Sequence, residues 1–288
     1  MQNKKHRKRI MEGIFNRSEL LLGQNMMQYI GQQRIIIFGV GGVGSWCAEC
    51  LVRNGVSHLT IVDSDLVCVS NCNRQLMATT RTIGRPKVEA LRERLMEINP
   101  EAEVEARQEV YDAAHADSFH LEGFDYVIDA IDSLQEKAHL LLLATSLIGA
   151  EGSRVKKVFS SMGAALRIDP TRVRAGEFWS IKGDALARAL RNRFKRDGKF
   201  PRKKFWCVYS EEPAMQNRAD IEALSGTTDV TQGIEAPAPE TQPSNSRWDA
   251  KKAQINGSLC HITGIFGMTL AGLVMSDMQK RFMESGEK

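Results

Sequence analysis

The sequence predicts an α/β fold: a doubly wound, mostly parallel, Rossmann-like sheet with a C-terminal substrate-specific portion and a long loop. Three observations carry this. An apolar, largely β-branched run from Arg34 to Phe38 passes straight into glycines. A second run, Leu59 to Asp63, ends on an acid after a helical pattern, completing a βαβ unit in about thirty residues. Strand and helix patterns then alternate as far as Gly163, which is doubly wound order.

Taken in order, Val43 to Arg53 repeats at helical spacing and Asn54-Gly55 stops it before the second strand. Pro86 suits a first helical position, and Val88, Leu91, Leu95 and Ile98 recur behind it until Asn99-Pro100. Glu103 to Arg107 reads as a weak strand and Tyr126 to Asp129 as a strong one. A helix from about Gln135 to Ile148 and a strand from Lys157 to Ser161 follow. Beyond Gly163 the pattern predicts a short strand at Leu166 to Ile168, a basic helix from Asp184 to Arg196 and a strand from Phe205 to Tyr209.

These elements divide the chain into an N-terminal arm and helix (1–33), a core (34–163) and a substrate-specific portion (164–288). Within the last, about 213–256 is polar, holds four of the eight prolines and predicts a long mobile loop. From Asn256 to Ser276 there is no charged residue, a length near the ~20 that span a bilayer. His261 and four glycines dilute that segment, so it reads as a buried or subunit-interface helix rather than a membrane span. The six cysteines lack the spacing of a secreted disulfide framework, and Glu12, Asn16, Arg17 and Glu19 interrupt any signal-like segment, which points to a cytoplasmic protein. With a net charge of +4 the chain is ordinary overall, and any polyanionic partner must be argued from local clustering.

The glycines Gly39, Gly41, Gly42 and Gly44 follow a strand and open a helix, the setting in which phosphates approach backbone N–H groups. Asp63, at the end of the next strand, is placed to accept hydrogen bonds from ribose hydroxyls. Glycines plus Asp63 equally fit NAD. Three further groups favour phosphate chemistry. Asp65, Asn71, Asn73 and Arg74 follow the second strand, where a guanidinium fork suits a triphosphate, although a polar loop over the sheet has the same composition. Lys87 stands in a first helical turn, unfavourable against the macrodipole unless an anion is near; a solvated lysine is the plainer alternative. Asp132 follows a strand at the ligand-binding edge of the sheet, placed either to hold Mg²⁺ or to cap a helix.

Together the glycine loop through Ser45, Asp63, Asp65, Asn71 to Gln75, Lys87 and Asp132 resemble the ubiquitin-activating-enzyme-like adenylyltransferases. The resemblance runs from about Phe15 to Gly163 and includes Asn16-Arg17, similar to a family pair that reaches across a homodimer to the neighbouring nucleotide. It implies ATP and Mg²⁺ as cofactors, Arg17, Arg74 and Lys87 as stabilisers of phosphate charge, Asp63 on the ribose and Asp132 on the metal. Family members with a structural zinc carry two CxxC pairs in the later half, where this chain has Cys207 and Cys260, so no zinc is expected. The CxxC at Cys47 and Cys50 lies in the first helix and reads as buried packing.

The segments Val127–Ser133, Ser161–Ala164, Ile168–Thr171 and Cys207–Glu211 resemble the family branch that dehydrates threonylcarbamoyladenosine in the tRNA anticodon loop. That resemblance implies adenylation of the threonyl carboxylate and ring closure with loss of AMP. The alternative is activation of a ubiquitin-like carrier's C-terminus, with a sulfur-transfer protein as partner. An RNA substrate has independent support: Arg188 to Lys204 carries nine Lys or Arg against Asp197 alone, with Phe194 and Phe200 interleaved. Arg191, Arg193, Lys195, Arg196, Lys199, Arg202 and Lys203 are the candidate RNA contacts, and a solvated helix face is the alternative reading of the same charges.

Overall fold

A computed structural model describes residues 13–218 and 256–286 of the chain. Seven strands form one sheet in the order β3-β2-β1-β4-β5-β7-β6. They are β1 (Arg34–Phe38), β2 (His58–Val62), β3 (Glu103–Arg107), β4 (Tyr126–Asp129), β5 (Lys157–Ser161), β6 (Val173–Glu177) and β7 (Trp206–Ser210). All neighbours are parallel except β6, which is antiparallel to β7. The α/β, mostly parallel architecture expected from the alternation is therefore the architecture observed.

Eight-residue or longer helices cover both faces because successive β1 residues point to opposite sides. Ile35 and Ile37 pack with Leu51 of α3 (Gly44–Arg53), Leu91 of α4 (Lys87–Ile98) and Phe266 of α7 (Cys260–Glu284). Ile36 and Phe38 pack on the other side with Leu141 of α5 (Leu134–Leu147) and Leu190 and Phe194 of α6 (Ala185–Asp197). Two N-terminal helices precede the sheet, α1 (Asn16–Leu22) and α2 (Gln24–Gly31). Helix α2 buries Met26 and Ile30, whereas α1 buries nothing and leaves Leu20 and Leu21 82% exposed.

The apolar C-terminal segment is a core helix in this fold. Among the described residues α7 alone is long and apolar enough to cross a membrane, yet Ile262, Phe266, Leu270, Val274 and Met278 are buried. Its glycines explain how it lies so close to α3: a Cβ on Gly267 would stand 2.4 Å from the Val43 carbonyl oxygen and 2.8 Å from the Trp46 Cβ. Gly267→Ala is expected to lower stability by about 1–3 kcal/mol, the usual cost of overpacking a fixed contact. Urea denaturation reads this directly; an unchanged midpoint would mean that the two helices slide apart without loss.

Two expectations are corrected, and one strand was not foreseen. No strand forms at Leu166–Ile168, because Leu166 takes a positive φ of 60° and the segment bonds to loops on either side instead of to a ladder. The edge strand β6 went unexpected, since Val173–Glu177 carries Arg174, Gly176 and Glu177 and shows no apolar run. Pro86 stands outside its helix as the N-cap residue, with ψ at 131°, and Lys87 is the first helical position. Most of the loop expected at about 213–256 lies outside the described residues.

Candidate functional site

The nucleotide motifs converge on the carboxyl edge of β1, β2 and β4. The chain leaves β1 through Gly39, whose φ of 84° and whose contact with β4 both demand glycine: a Cβ there would lie 2.7 Å from the Ala130 carbonyl oxygen. Gly44 is confined even more tightly, by the Gly39 carbonyl. Between them Gly42 faces Arg74 and Thr263, and Gly41 faces the Gln75 amide. Ser45 fastens the loop by donating to the Gly41 carbonyl (2.6 Å) and accepting from the Leu76 N–H (3.3 Å).

Asp63 closes the loop from β2. Its carboxylate accepts from the Val40 N–H at 2.8 Å and the Asp65 N–H at 3.0 Å. Burial pushes its pKa up, a shift that Lys87 opposes from 3.9 Å without cancelling. Lys87 is itself buried, with its Nζ 2.7 Å from Asp65 Oδ2. Burial works against the ammonium, but the Asp63 and Asp65 carboxylates outweigh it and raise the Lys87 pKa. The anion that a cation in the first helical turn calls for is thus supplied by Asp65. A backbone bond from the Lys87 N–H to the Asp65 carbonyl (3.0 Å) holds the two loops in register.

The loop after β2 brings Arg74 over the glycines. One of its nitrogens donates to the Ser70 carbonyl and the Asn73 side chain, both at 2.9 Å. Burial lowers the Arg74 pKa and the neighbouring Asp132 carboxylate opposes that shift. Asp132 is exposed beyond β4, and Ser133, not Asp132, takes the N-cap position of α5. Asn71 holds the turn by accepting from the Cys68 N–H (3.1 Å), while Asn73 donates to the Ser258 carbonyl (2.9 Å) and so joins this loop to the start of α7.

Arg17 stands apart. It is exposed on α1, and among the described residues no hydrogen bond or ion pair joins it to the other site residues.

The strand order also separates the basic segment from the glycines. Helix α6 starts at the carboxyl edge, where its N-cap Asp184 accepts from the Gly163 N–H (3.2 Å). It ends at the opposite edge, where the Arg202 N–H donates to Thr145 at the close of α5 (3.2 Å) before β7 begins. The run Lys195 to Lys204 is therefore a strand length from the nucleotide motifs, roughly 15–20 Å. Arg191 is drawn out of the candidate RNA contacts: its guanidinium donates to the Phe178 (2.9 Å) and Ile181 (3.2 Å) carbonyls and lies over the Phe178 ring. Arg193 and Arg196 both face Asp197, at 3.4 and 2.9 Å, and Lys195, Lys199, Arg202 and Lys203 are exposed.

Two features were missed from sequence. Beneath the site, Lys137 Nζ is 2.6 Å from Asp129 Oδ2 with both side chains fully buried, and Ser160 donates to the same oxygen at 2.5 Å. The other Asp129 oxygen accepts from the Ile131 N–H (3.1 Å), so this pair fixes the turn that carries Asp132. Arg167, 5% exposed, is the second, and the position of a lysine at i+8 from a strand-end acid was the one available signal for the first. Cys207 is buried and burial pushes its thiol well up, which disfavours a thiolate there.

A glycine loop closed by a strand-end acid, with a buried lysine, an arginine and an exposed aspartate around it, defines a nucleotide-binding α/β protein of the adenylating kind. The chain belongs to the ThiF family, whose model matches residues 15–186. It is 35% identical over 216 residues to the tRNA threonylcarbamoyladenosine dehydratase of Bacillus subtilis, covering 75% of this chain and 82% of that one. It is 31% identical over 157 residues to the Escherichia coli molybdopterin-synthase adenylyltransferase, covering 54% and 59%. The crystal structure of E. coli tRNA N6-threonylcarbamoyladenosine dehydratase in complex with ATP superimposes with a TM-score of 0.74 at 28% identity, covering 94% and 95%.

Proposed function

We propose that this chain is an ATP-dependent adenylyltransferase that cyclises threonylcarbamoyladenosine in tRNA, with loss of one water from the nucleoside. The observation that carries this reading is likeness over nearly the whole chain, not the nucleotide core alone, to a dehydratase holding ATP. In the first step a carboxylate oxygen of the modified nucleoside bonds to the α-phosphorus and the bond to pyrophosphate breaks. In the second, a nucleophile of the same nucleoside attacks the acyl carbon and AMP leaves. Neither step needs a protein nucleophile, which agrees with a buried Cys207. What the chain supplies is positioning and charge. The glycine loop presents backbone N–H groups, Asp63 faces the ribose, and Arg74 and Lys87 offset phosphate charge.

Asp132 is one exposed carboxylate past the carboxyl edge of β4, which fits Mg²⁺, an ion that takes one or two protein carboxylates beside phosphate oxygens. Asp132 would hold the ion, and the ion supplies neutralisation of the triphosphate when bound. A homodimer is supported by α1, which exposes two adjacent leucines beside Arg17; in such a dimer Arg17 would complete the partner's nucleotide site. The distance between the glycines and the exposed cations supports a large substrate, since a ligand touching both must extend roughly 15–20 Å.

Exchange of radiolabelled pyrophosphate into ATP, dependent on tRNA carrying threonylcarbamoyladenosine, tests the adenylation step. Exchange dependent instead on a small carrier protein would favour the sulfur-carrier alternative. Reversing the charges of Arg193, Lys195 and Arg196 together is expected to weaken tRNA binding and flatten its salt dependence, leaving ATP affinity unchanged. Filter binding at several salt concentrations measures both; an unaltered slope would move the RNA surface elsewhere.

A further inference from the structure

The loop after β5 carries a buried arginine, two of whose nitrogens no group among the described residues satisfies. Arg167 is 5% exposed, and its Nε and one Nη are buried without a hydrogen-bond partner among the described residues. Burying a charge without a partner is costly. The backbone around it is nevertheless held by many bonds. The Leu166 N–H donates to the Gly257 carbonyl and the Leu166 carbonyl accepts from Met215, both at 2.9 Å. The Ile168 and Asp169 N–H groups both donate to the buried Glu212 carboxylate at 3.0 Å, and the Ile168 carbonyl meets His261 Nε2 at 3.0 Å. Leu166 is kept at a φ of 60°, a strained conformation for a residue with a branched side chain. Strain and an unsatisfied cation within two neighbouring residues describe a segment held ready for a ligand.

Its place in the fold says which ligand. The segment joins the nucleotide site through one turn of α7: His261 touches Ile168, and Thr263, two residues on, touches Gly42 of the glycine loop. Asn73, beside Arg74, bonds Ser258 at the start of the same turn. We propose that Arg167 is an anchor for an oxyanion of the substrate, either the carboxylate to be adenylated or an RNA phosphodiester next to it. The identity of that substrate rests on the function proposed above; the presence of an oxyanion site does not. A planar guanidinium suits both sources, because each offers two oxygens to its parallel N–H groups. Arg167 would thereby be a substrate-binding residue distinct from Arg74 and Lys87, which are proposed above to offset the phosphate charge of ATP.

The test uses the full-length protein without ATP and the variants Arg167→Met and Arg167→Lys. With no ligand, Arg167→Met is expected to be at least as resistant to urea as the wild type, because it removes an uncompensated buried charge. Acetate and inorganic phosphate, each added in steps, are expected to raise the midpoint of the wild type and, more weakly, of Arg167→Lys, and to leave Arg167→Met behind. A Met variant that is less stable in the absence of anions, or one that gains as much from them as the wild type, overturns the proposal. Two tRNA arms then separate the sources. If the carboxylate is held, Arg167→Met weakens binding of tRNA carrying threonylcarbamoyladenosine by roughly 10- to 100-fold, the worth of charge-assisted hydrogen bonds, and spares the unmodified tRNA. If a phosphodiester is held, both tRNAs weaken alike. Anion effects confined to the wild type, with neither tRNA bound by any form, would uphold the oxyanion site and reject the tRNA reading.

Discussion

Asp132→Ala is expected to abolish AMP formation while leaving the fold intact. The side chain is exposed at the carboxyl edge of β4, fills no core space and does not take the N-cap position of α5, so its removal opens no cavity and frays no helix. What it removes is the carboxylate beside Arg74 that is proposed to hold Mg²⁺. Removing one group that stabilises developing charge slows such a step by about a hundredfold or more. Turnover of ATP by the purified variant, followed as AMP release with the urea midpoint measured alongside, checks both halves. A normal rate would remove Asp132 from the metal site; a lowered midpoint would make its role structural.

The largest effect on stability is expected at Lys137. Lys137 and Asp129 are both fully buried, with 2.6 Å between Nζ and Oδ2, and Lys137→Met leaves the Asp129 carboxylate stranded in the core. Breaking one side of a buried ion pair costs about 3–5 kcal/mol, whereas replacing both sides with apolar groups of similar volume is close to neutral. The Lys137→Met and Asp129→Leu double variant is therefore expected to recover most of the stability lost in the single variant. It is not expected to recover activity, because Asp129 also holds the Ile131 N–H and with it the turn that leads to Asp132. Urea denaturation and AMP release on the single and double variants decide this. A double variant as unstable as the single one would mean that the pair is matched by more than its own charges.

These two residues show where sequence reasoning reached and where it stopped. The parallel strands were legible because β1, β2, β4 and β5 are buried on both faces and read as apolar runs that end at glycine, acid or serine. Asp63, Asp65 and Asp132 stood out as candidates because they lie at or just past the ends of those runs, where an open α/β sheet exposes its ligands, and Lys87 because it is a cation that opens a helix. Lys137 was hidden: in the helix sequence LQEKAHLL a lysine looks like one more solvent-facing cation, and its burial follows from Asp129 and Ser160, eight positions before it and twenty-three after it. The strand β6 was hidden for the opposite reason, as its half-buried polar residues give no alternation strong enough to mark an edge. Within the basic segment, charge counting could not separate Arg191, which turns inward to two carbonyls, from Lys195 or Lys199, which stay in solvent. Arg167 carried no signal at all, because a lone arginine between Leu166 and Ile168 looks like the polar position of an alternating strand.

The measurement that tests the account most directly is incubation of the purified protein with ATP and tRNA carrying threonylcarbamoyladenosine, followed by nucleoside analysis under mild conditions. The account predicts a nucleoside lighter by one water, formed together with AMP and pyrophosphate and in proportion to ATP consumed. An unchanged nucleoside in the presence of a folded, ATP-binding protein would contradict it.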